Sequence, residues 1–276
     1  MTEPKSVNII GTEVNVLTLE QGLELASTTM AEGPARYIVL PHVEFLVKAH
    51  SQPETQAVLD AAYLRLPNGV GLTWAAAYLY GQKPPKLARI VSLGAQIVFR
   101  PKEVETVLPA RFTSSNFSWQ LLKSAADAGQ SVFLIGSPKR QSIEAVAAYL
   151  AGAIPRLKIA GSFTGHLDAT KEQELVAKLK VTHPDLILVG MGFPRQEQLM
   201  QRLAGQLDHG LMIGEGGSFD YQQFGGHIKR APKWVQRSGL EWLWRLAREP
   251  SRLGRQLSIP VFIWQVYLQG RKVHKL

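Results

Sequence analysis

The sequence contains no cysteine and no long apolar segment. Without a thiol, a disulfide framework, a cysteine-based zinc finger and a cysteine nucleophile are all excluded. The most apolar late run, at 257–268, is interrupted by Pro260 and is shorter than the ~20 residues that a membrane-spanning helix needs. The N-terminus has no basic region followed by an apolar stretch, so we expect no signal peptide. These absences predict a chain that does not cross a membrane.

Several catalytic signatures are missing as well. The sequence has no G-x-S-x-G, no H-E-x-x-H and no P-loop, and its seven histidines show no ligand pairing. We therefore expect neither a metal site nor a bound cofactor. With 45% hydrophobic and 19% charged residues, the 276-residue chain is too apolar to be disordered and long enough for one large domain or two small ones.

The net charge of +9 is concentrated at one end of the chain. Residues 1–228 are neutral overall, whereas 229–276 carry 11 Lys and Arg against two Glu, together with four of the six Trp. This shift in composition predicts two domains: an α/β body at 1–228 and a basic, Trp-rich appendage at 229–276.

Basic residues interleaved with Trp suit an anionic membrane surface, where indoles lie at the headgroup level. A solvated helical face and a surface for nucleic-acid phosphates are the alternatives. No RRM or KH signature is present, so nucleic acid is not the expected partner. The appendage is predicted to be helical from about residue 234 to 248.

In the body, short apolar runs alternate with helical patterns. The runs predict strands at 37–40, 132–135, 158–160, 186–189 and 211–213. Helices are predicted at 55–62, 119–128, 141–151, 171–179 and 196–207. Strict alternation of this kind is typical of a parallel, Rossmann-like sheet with helices on both faces. The proline-rich segment 82–110 is predicted to be an irregular excursion or a lid.

Ligands of such sheets bind at the carboxyl ends of the strands, and three of the predicted strands end in glycine. Backbone N–H groups at such turns and at helix N-termini can hold a diphosphate. The segment 190–195 misses the dinucleotide fingerprint because Arg195 stands in its third glycine position, so a nucleotide other than NAD is expected. The predicted nucleotide- and substrate-binding residues are Gly136, Gly190, Gly192, Arg195, Glu197, Gly214, Gly217, Asp220 and Asn116. Three of these have structural alternatives, because 194–197, with Arg195 and Glu197, could simply be a polar helix start and Asp220 could cap the next turn.

Four further motifs carry a resemblance to a known family. They are Gly-Phe-Pro-Arg-Gln-Glu at 192–197, Gly-Glu-Gly-Gly-Ser-Phe-Asp at 214–220, Arg-Ala-Pro-Lys-Trp at 230–234, and the Gly-Leu-Glu-Trp-Leu-Trp-Arg-Leu of 239–246 followed by Glu-Pro-Ser-Arg. In this order and spacing they closely resemble the WecG/TagA/CpsF glycosyltransferases, glycosyltransferase family 26, over most of the chain.

The resemblance implies inverting, metal-independent transfer of N-acetylmannosamine or its uronic acid from a UDP-sugar. It implies a polyprenyl-diphosphate-linked acceptor sugar, a role in cell-surface polysaccharide synthesis, and a peripheral location on the inner face of the cytoplasmic membrane. It also allows a homo-oligomer. By position, Gln196 would contact substrate, and Arg230, Arg245, Arg252 and Arg255 would bind the lipid diphosphate, a role for which guanidinium groups are chemically suited.

Three departures from the family pattern fall in the N-terminal half. Asn68 stands where the family has its proposed catalytic Asp, Asn116 replaces another Asp, and His42 replaces an Asn. An amide cannot accept the acceptor's proton, a step that contributes ~10²–10⁴-fold in rate. Either His42 acts as the base, or the chain binds UDP-sugar or lipid diphosphate without efficient transfer. A third alternative is acceptor-assisted transfer in which Asn68 only orients the hydroxyl.

Overall fold

The computed structural model describes residues 4–82, 87–138, 142–164, 168–248 and 253–273. The strands are β1 (Ser6–Ile9), β2 (Thr12–Asn15), β3 (Arg36–Val39), β4 (Leu64–Arg65), β5 (Ser131–Gly136), β6 (Lys158–Thr164), β7 (Leu186–Gly190) and β8 (Leu211–Gly214). The helices are α1 (Leu19–Ala31), α2 (Val43–Ser51), α3 (Pro53–Asp60), α4 (Val70–Tyr80), α5 (Leu87–Phe99), α6 (Ser114–Ala128), α7 (Ile143–Ala153), α8 (Ala169–Thr182), α9 (Arg195–Ala204), α10 (Lys233–Arg237), α11 (Glu241–Arg248), α12 (Leu253–Gln256) and α13 (Ser258–Val273).

Six strands form one parallel sheet in the order β4-β3-β8-β7-β5-β6. Alternate residues of the central strands enter two different core clusters. One cluster packs against α1, α6 and α7, and the other against α2, α3, α8 and α9. Because both faces are covered, the central strands β5, β7 and β8 are almost entirely apolar, which made them visible in the sequence. The predicted α/β sheet with helices on both faces is confirmed.

A third core cluster lies beside the sheet, between the β1–β2 hairpin and four helices. It contains residues of α2, α4 and α5, and it also includes Phe262 and Val266 of α13, which are fully buried. The Gln269 amide accepts a hydrogen bond from Ile10 N at 2.8 Å and donates one to the Asn8 carbonyl at 2.9 Å. The last helix is thus part of the body's core, while the predicted division at residue 228 stays a prediction.

The irregular course expected for 82–110 and the single helix expected over 234–248 were wrong, while the alternative that 82–110 forms a lid stays a prediction. The segment 82–110 contains a regular helix, α5, because its prolines flank rather than enter 87–99 and because Ile90, Leu93 and Ile97 recur on one helical face. The single helix expected over 234–248 is instead two helices, α10 and α11. Gly239 separates them with a φ of +70°, in the left-handed region that glycine adopts most readily.

None of the helices within the described ranges has the length and apolar character that a bilayer crossing requires.

Candidate active site

The loops after β3 and β4 lie side by side at the carboxyl edge of the sheet. The Asn68 N–H donates to the Pro41 carbonyl at 3.0 Å, and Phe112 N donates to the Pro67 carbonyl at 2.8 Å. Asn68 is half-buried, immediately before the N-terminus of α4. His42, two residues before Glu44, is the N-cap residue of α2 and is also half-buried. The two predicted catalytic residues therefore sit on neighbouring loops.

His42 has one ionic and two aromatic neighbours. Its Nε2 lies 3.6 Å from Glu44 Oε2, and Glu44 also pairs with Lys48 at 3.2 Å. The ring of Phe193, from the loop after β7, lies edge-on to His42 with centroids 5.9 Å apart, and Phe45 lies at 6.4 Å. The imidazole is thus held between an acidic side chain and apolar rings, with part of its surface open to solvent.

Gln196 joins the loops after β7 and β8. Its Oε1 accepts from the backbone N–H groups of Gly192 and Gly216, each at 2.9 Å, and its Nε2 donates to Glu197 Oε1 at 2.7 Å. The side chain is buried, so all these bonds are shielded from water. Gln196 is built as a brace between the two glycine-rich loops. Its predicted substrate contact stays a prediction.

Two buried carboxyl groups flank this brace. Glu197 Oε2 and Glu215 Oε2 have no hydrogen-bond partner in the described structure. Glu215 Oε1 accepts from the Ser118 hydroxyl of α6, which ties the loop after β8 to that helix. Burial raises the pKa of both Glu197 and Glu215 to about 7. Such groups exchange protons close to neutral pH, which is typical of functional sites as well as of strained cores.

At three of the predicted glycines, other side chains fill the space that a Cβ would need. A Cβ at Gly136 would meet Ile143, one at Gly190 would meet Phe219, and one at Gly214 would meet Gln196, all at distances below 3.0 Å. Close internal packing therefore accounts for glycine there.

Two other glycines of these loops have a positive φ. Gly216 has a φ of +54° with nothing within 4 Å of its Cβ position, and Gly192 has a φ of +80°. Gly217, the next residue, is half-buried with an ordinary φ of −101°. The loop at 214–217 is where a ligand could approach the backbone closely.

The remaining two predicted residues of this edge differ in exposure. Arg195 is the first residue of α9 and is exposed, so its guanidinium can reach a bound anion. Asp220 is buried in the 3₁₀ turn Ser218–Asp220, and its carbonyl accepts from Ile228 N at 2.8 Å. Their roles toward a nucleotide stay predictions.

Arg230 connects the basic appendage, 229–276, to the N-terminus of α6. Its Nη1 donates to Asn116 Oδ1, its Nη2 to Thr113 Oγ1 at 3.3 Å, and its Nε to Glu241 Oε1 at 3.0 Å. In this arrangement the guanidinium is engaged within the protein. Asn116 is exposed beside it.

A small cleft with a basic lining lies between the basic appendage and the body. Arg245 lies in it, stacked over the Tyr221 ring at 5.0 Å and donating to the Tyr221 hydroxyl at 2.8 Å. Arg248 lies 4.7 Å from the Trp244 ring centre. The lining residues are Tyr221, Ile228, Lys229, Ala231, Glu241, Trp244, Arg245 and Arg248. Three cations against one carboxylate suit a phosphate group.

Of the other two predicted diphosphate ligands, Arg252 lies outside the described residues, and Arg255 belongs to α12.

The structure adds residues that the sequence prediction did not include. Glu215 and Gly216 follow β8, Ser118 on α6 donates to Glu215, and Lys229 and Arg248 line the cleft. A charged residue directly after an apolar strand was a usable signal for Glu215. Ser118 carried none, because it is one small residue inside a long helix.

The parallel sheet has a glycine-rich carboxyl edge, with a titratable cluster and a basic cleft beside it. Together these features define a class of enzyme that binds phosphate-bearing substrates at strand ends. Comparison with known proteins makes that class specific. The family model for the glycosyl transferase WecG/TagA/CpsF family matches residues 7–93 and 87–275. The chain belongs to this family, and it is a glycosyltransferase, as the sequence resemblance predicted.

Two relatives named for a sugar transfer match over most of their length. An N-acetylglucosaminyldiphosphoundecaprenol N-acetyl-beta-D-mannosaminyltransferase of Staphylococcus aureus strain MW2 is 29% identical over 269 residues, which cover 98% of this chain and 95% of the relative. A protein of the same name from Bacillus spizizenii is 28% identical over 247 residues, covering 90% and 84%.

Proposed function

We propose that this protein transfers an N-acetylhexosamine, N-acetylmannosamine or its uronic acid, from a UDP-sugar to a polyprenyl-diphosphate-linked sugar. The observation that carries the proposal is the full-length match to relatives whose names specify this transfer onto N-acetylglucosaminyldiphosphoundecaprenol. The match to the family model spans both the glycine-rich strand ends and the basic appendage, so it includes the regions proposed for both substrates.

The donor is proposed to lie over the loops that Gln196 braces. The open space at Gly216 allows a diphosphate to approach the backbone closely, and the exposed guanidinium of Arg195 can face it. No step of this chemistry requires a metal when fixed positive charge stabilises the departing UDP. The relatives' names specify a β-linked product, and formation of a β-linkage from an α-linked nucleotide sugar is an inversion.

In an inverting transfer, the acceptor hydroxyl attacks the anomeric carbon, its proton passes to a base, and the bond to UDP breaks. His42 is the proposed base, because it lies at the end of β3 beside Asn68 and pairs with Glu44. An imidazole can accept a proton near neutral pH, whereas the Asn68 amide cannot. Asn68 is proposed to orient the hydroxyl.

The acceptor's diphosphate is proposed to occupy the basic cleft. Arg245, Arg248 and Lys229 supply the positive charge there, and the surrounding indoles suit the membrane interface at which a lipid-linked acceptor resides. A peripheral position on the inner face of the cytoplasmic membrane follows from this proposal.

The test is turnover of UDP-N-acetylmannosamine with a short-chain prenyl-diphosphate N-acetylglucosamine, in EDTA, followed by mass spectrometry. We expect a product one N-acetylhexosamine heavier than the acceptor, together with stoichiometric UDP. Calorimetry with UDP separates the alternative. Binding without turnover, followed by the appearance of turnover in Asn68→Asp, would show a family member that binds but does not transfer.

A further inference from the structure

Arg230 lies between the basic appendage and the body, and only 16% of its side chain is exposed. All three nitrogens of its guanidinium are engaged, Nε with Glu241, Nη1 with Asn116 and Nη2 with Thr113. Glu241 is the first residue of α11, whereas Asn116 and Thr113 lie at the N-terminus of α6. One guanidinium therefore joins two helices that are distant in the sequence.

The polar side chains at the start of α6 serve Arg230 rather than their own helix. Thr113 is the N-cap residue, where a threonine hydroxyl ordinarily accepts from the first turn, but its side chain makes no such capping bond. The hydroxyl accepts from Arg230 Nη2 at 3.3 Å instead, and Asn116 Oδ1 accepts from Nη1. Two side chains at the beginning of this helix are thus committed to one arginine of the basic appendage.

The basic cleft is lined by the neighbours of Arg230. Lys229 and Glu241 belong to its lining, as do Arg245 and Arg248 of α11, whereas the guanidinium of Arg230 is directed to α6. Because Arg245 and Arg248 are carried by the helix that begins at Glu241, their position over the cleft depends on how that helix is docked.

The bond from Arg230 to Glu241 is the charged part of this docking. The two side chains are 16% and 27% exposed, so the pair is largely shielded from water and salt. A hydrogen bond between two ionised groups is roughly twice as strong as one between neutral groups. The contact therefore has the strength that is needed to fix the first turn of α11 against the body.

We propose that Arg230 is a positioning residue for sugar transfer, which docks α11 onto α6 and thereby holds Arg245 and Arg248 over the cleft. The inference rests on the proposed function for the ligand of that cleft, the acceptor's diphosphate. The sequence resemblance implies instead that Arg230 binds the diphosphate itself. The two roles differ in what they predict for the protein without substrate.

The first measurement is hydrogen exchange of the full-length, ligand-free protein, read by mass spectrometry on peptides that cover α11. Arg230→Gln should speed exchange about tenfold, because the helix loses its charged link to α6, and Glu241→Gln should do the same. Since the two side chains act in series, the double variant should stay within about twofold of the faster single variant. Arg271→Gln makes the same charge change at an exposed position of α13, and its α11 should exchange like that of the wild type.

The second measurement is calorimetry of the same proteins with UDP and with a short-chain prenyl-diphosphate N-acetylglucosamine. We expect Arg230→Gln to weaken acceptor binding about tenfold, because Arg245 and Arg248 are no longer held in place. The affinity for UDP should change by less than about twofold, since the proposed donor loops follow β7 and β8. A general loss of stability would not separate the two ligands in this way.

Unchanged exchange of α11 in Arg230→Gln, together with weaker acceptor binding, would show that Arg230 is a direct diphosphate ligand and would overturn the proposal. Faster exchange with unchanged acceptor affinity would refute it too, because the contact would then be structural only. A wild type that binds the acceptor without transferring sugar contradicts the proposed function alone, since exchange and affinity still test the docking. A wild type that binds no acceptor contradicts both.

Discussion

His42, Glu197 and Glu215 are titratable side chains at the carboxyl ends of neighbouring strands, but their surroundings differ. His42 is partly open to solvent and pairs with Glu44, which suits a group that must meet a substrate. The two carboxyls are buried, each with one oxygen unpartnered, which suits groups that hold loops in place. This difference separates a proposed catalytic role from a positioning role.

His42→Gln should lower kcat/KM for sugar transfer by about 10²–10⁴-fold, because a neutral amide cannot accept the proton. UDP affinity should change little, since the proposed donor loops follow other strands. Steady-state kinetics with the short-chain acceptor give the answer. The control is His50→Gln, which alters a histidine near the end of α2 whose Nδ1 lies 3.0 Å from the Ile10 carbonyl. A His42 variant with full activity would assign the proton to another group.

The raised pKa of Glu215 makes a prediction about stability. The pKa of this carboxyl is higher in the folded protein than in the unfolded chain, where it is near 4.5. Its contribution to the stability of the fold is therefore fully present below pH 4.5 and is lost as the pH rises through about 7. Glu215→Gln removes that loss. Relative to the wild type, the variant should therefore gain up to about 3 kcal/mol in free energy of unfolding between pH 5 and pH 8, since one pKa unit corresponds to about 1.4 kcal/mol.

Urea unfolding across this pH range measures the difference. Glu174→Gln, at an exposed position on α8, is the matched control and should track the wild type at every pH. If the free energy of unfolding depends on pH in the same way for Glu215→Gln and the wild type, Glu215 is ionised in the folded protein over this whole pH range.

At the scale of elements, the sequence was most informative where a strand is long and covered on both faces. The five predicted strands of the large sheet are present, whereas β4 escaped notice because it has only two residues. Helix α5 was not predicted, because the prolines on both sides of it favoured irregular structure over the whole segment. The break between α10 and α11 lies at Gly239, whose positive φ was a local signal and which also packs against Ile97 of α5.

Gly239→Ala tests this joint. The alanine would adopt a φ of +70° and would place its Cβ 3.0 Å from Ile97 and 3.2 Å from Val70. We expect a loss of about 1–3 kcal/mol in free energy of unfolding. The control, Gly94→Ala, lies within α5 with nothing within 4 Å of its Cβ position and should stabilise by up to about 1 kcal/mol. Equal effects of the two substitutions would show that the turn is not held against α5.

At the scale of the whole molecule, the charge division and the packing do not coincide. The excess positive charge belongs to 229–276, yet the last helix of that range is built into a core cluster of the body. Removing the whole range would therefore remove core side chains as well as a basic surface. Point substitutions separate these two contributions better than a truncation does.

Phe262→Ala and Trp264→Ala form such a pair on α13. Phe262 is 1% exposed and Trp264 is 58% exposed. The first substitution should cost about 3–5 kcal/mol in free energy of unfolding, because it leaves a cavity, and the second less than about 1 kcal/mol. Chemical denaturation in the absence of lipid measures both. A mild effect at Phe262 would mean that α13 is dispensable for the fold.

The candidate site was predictable in its location but less so in its contacts. Motif spacing located the glycine-rich loops, Gln196 and Arg230, because those residues stand in a linear pattern. Their hydrogen-bond partners come from distant parts of the chain, as Asn116 does for Arg230 and Ser118 for Glu215. Such pairings depend on the folded sheet and could not be read from local sequence.

The most direct test of the account is the anomeric configuration of the product formed by the wild-type protein. NMR of the purified lipid-diphosphate disaccharide, made from α-linked UDP-N-acetylmannosamine in EDTA, reports transfer, inversion and metal independence together. The account predicts a β-linked N-acetylmannosamine on the acceptor sugar. An α-linked product, or no product while UDP-sugar still binds, would contradict it.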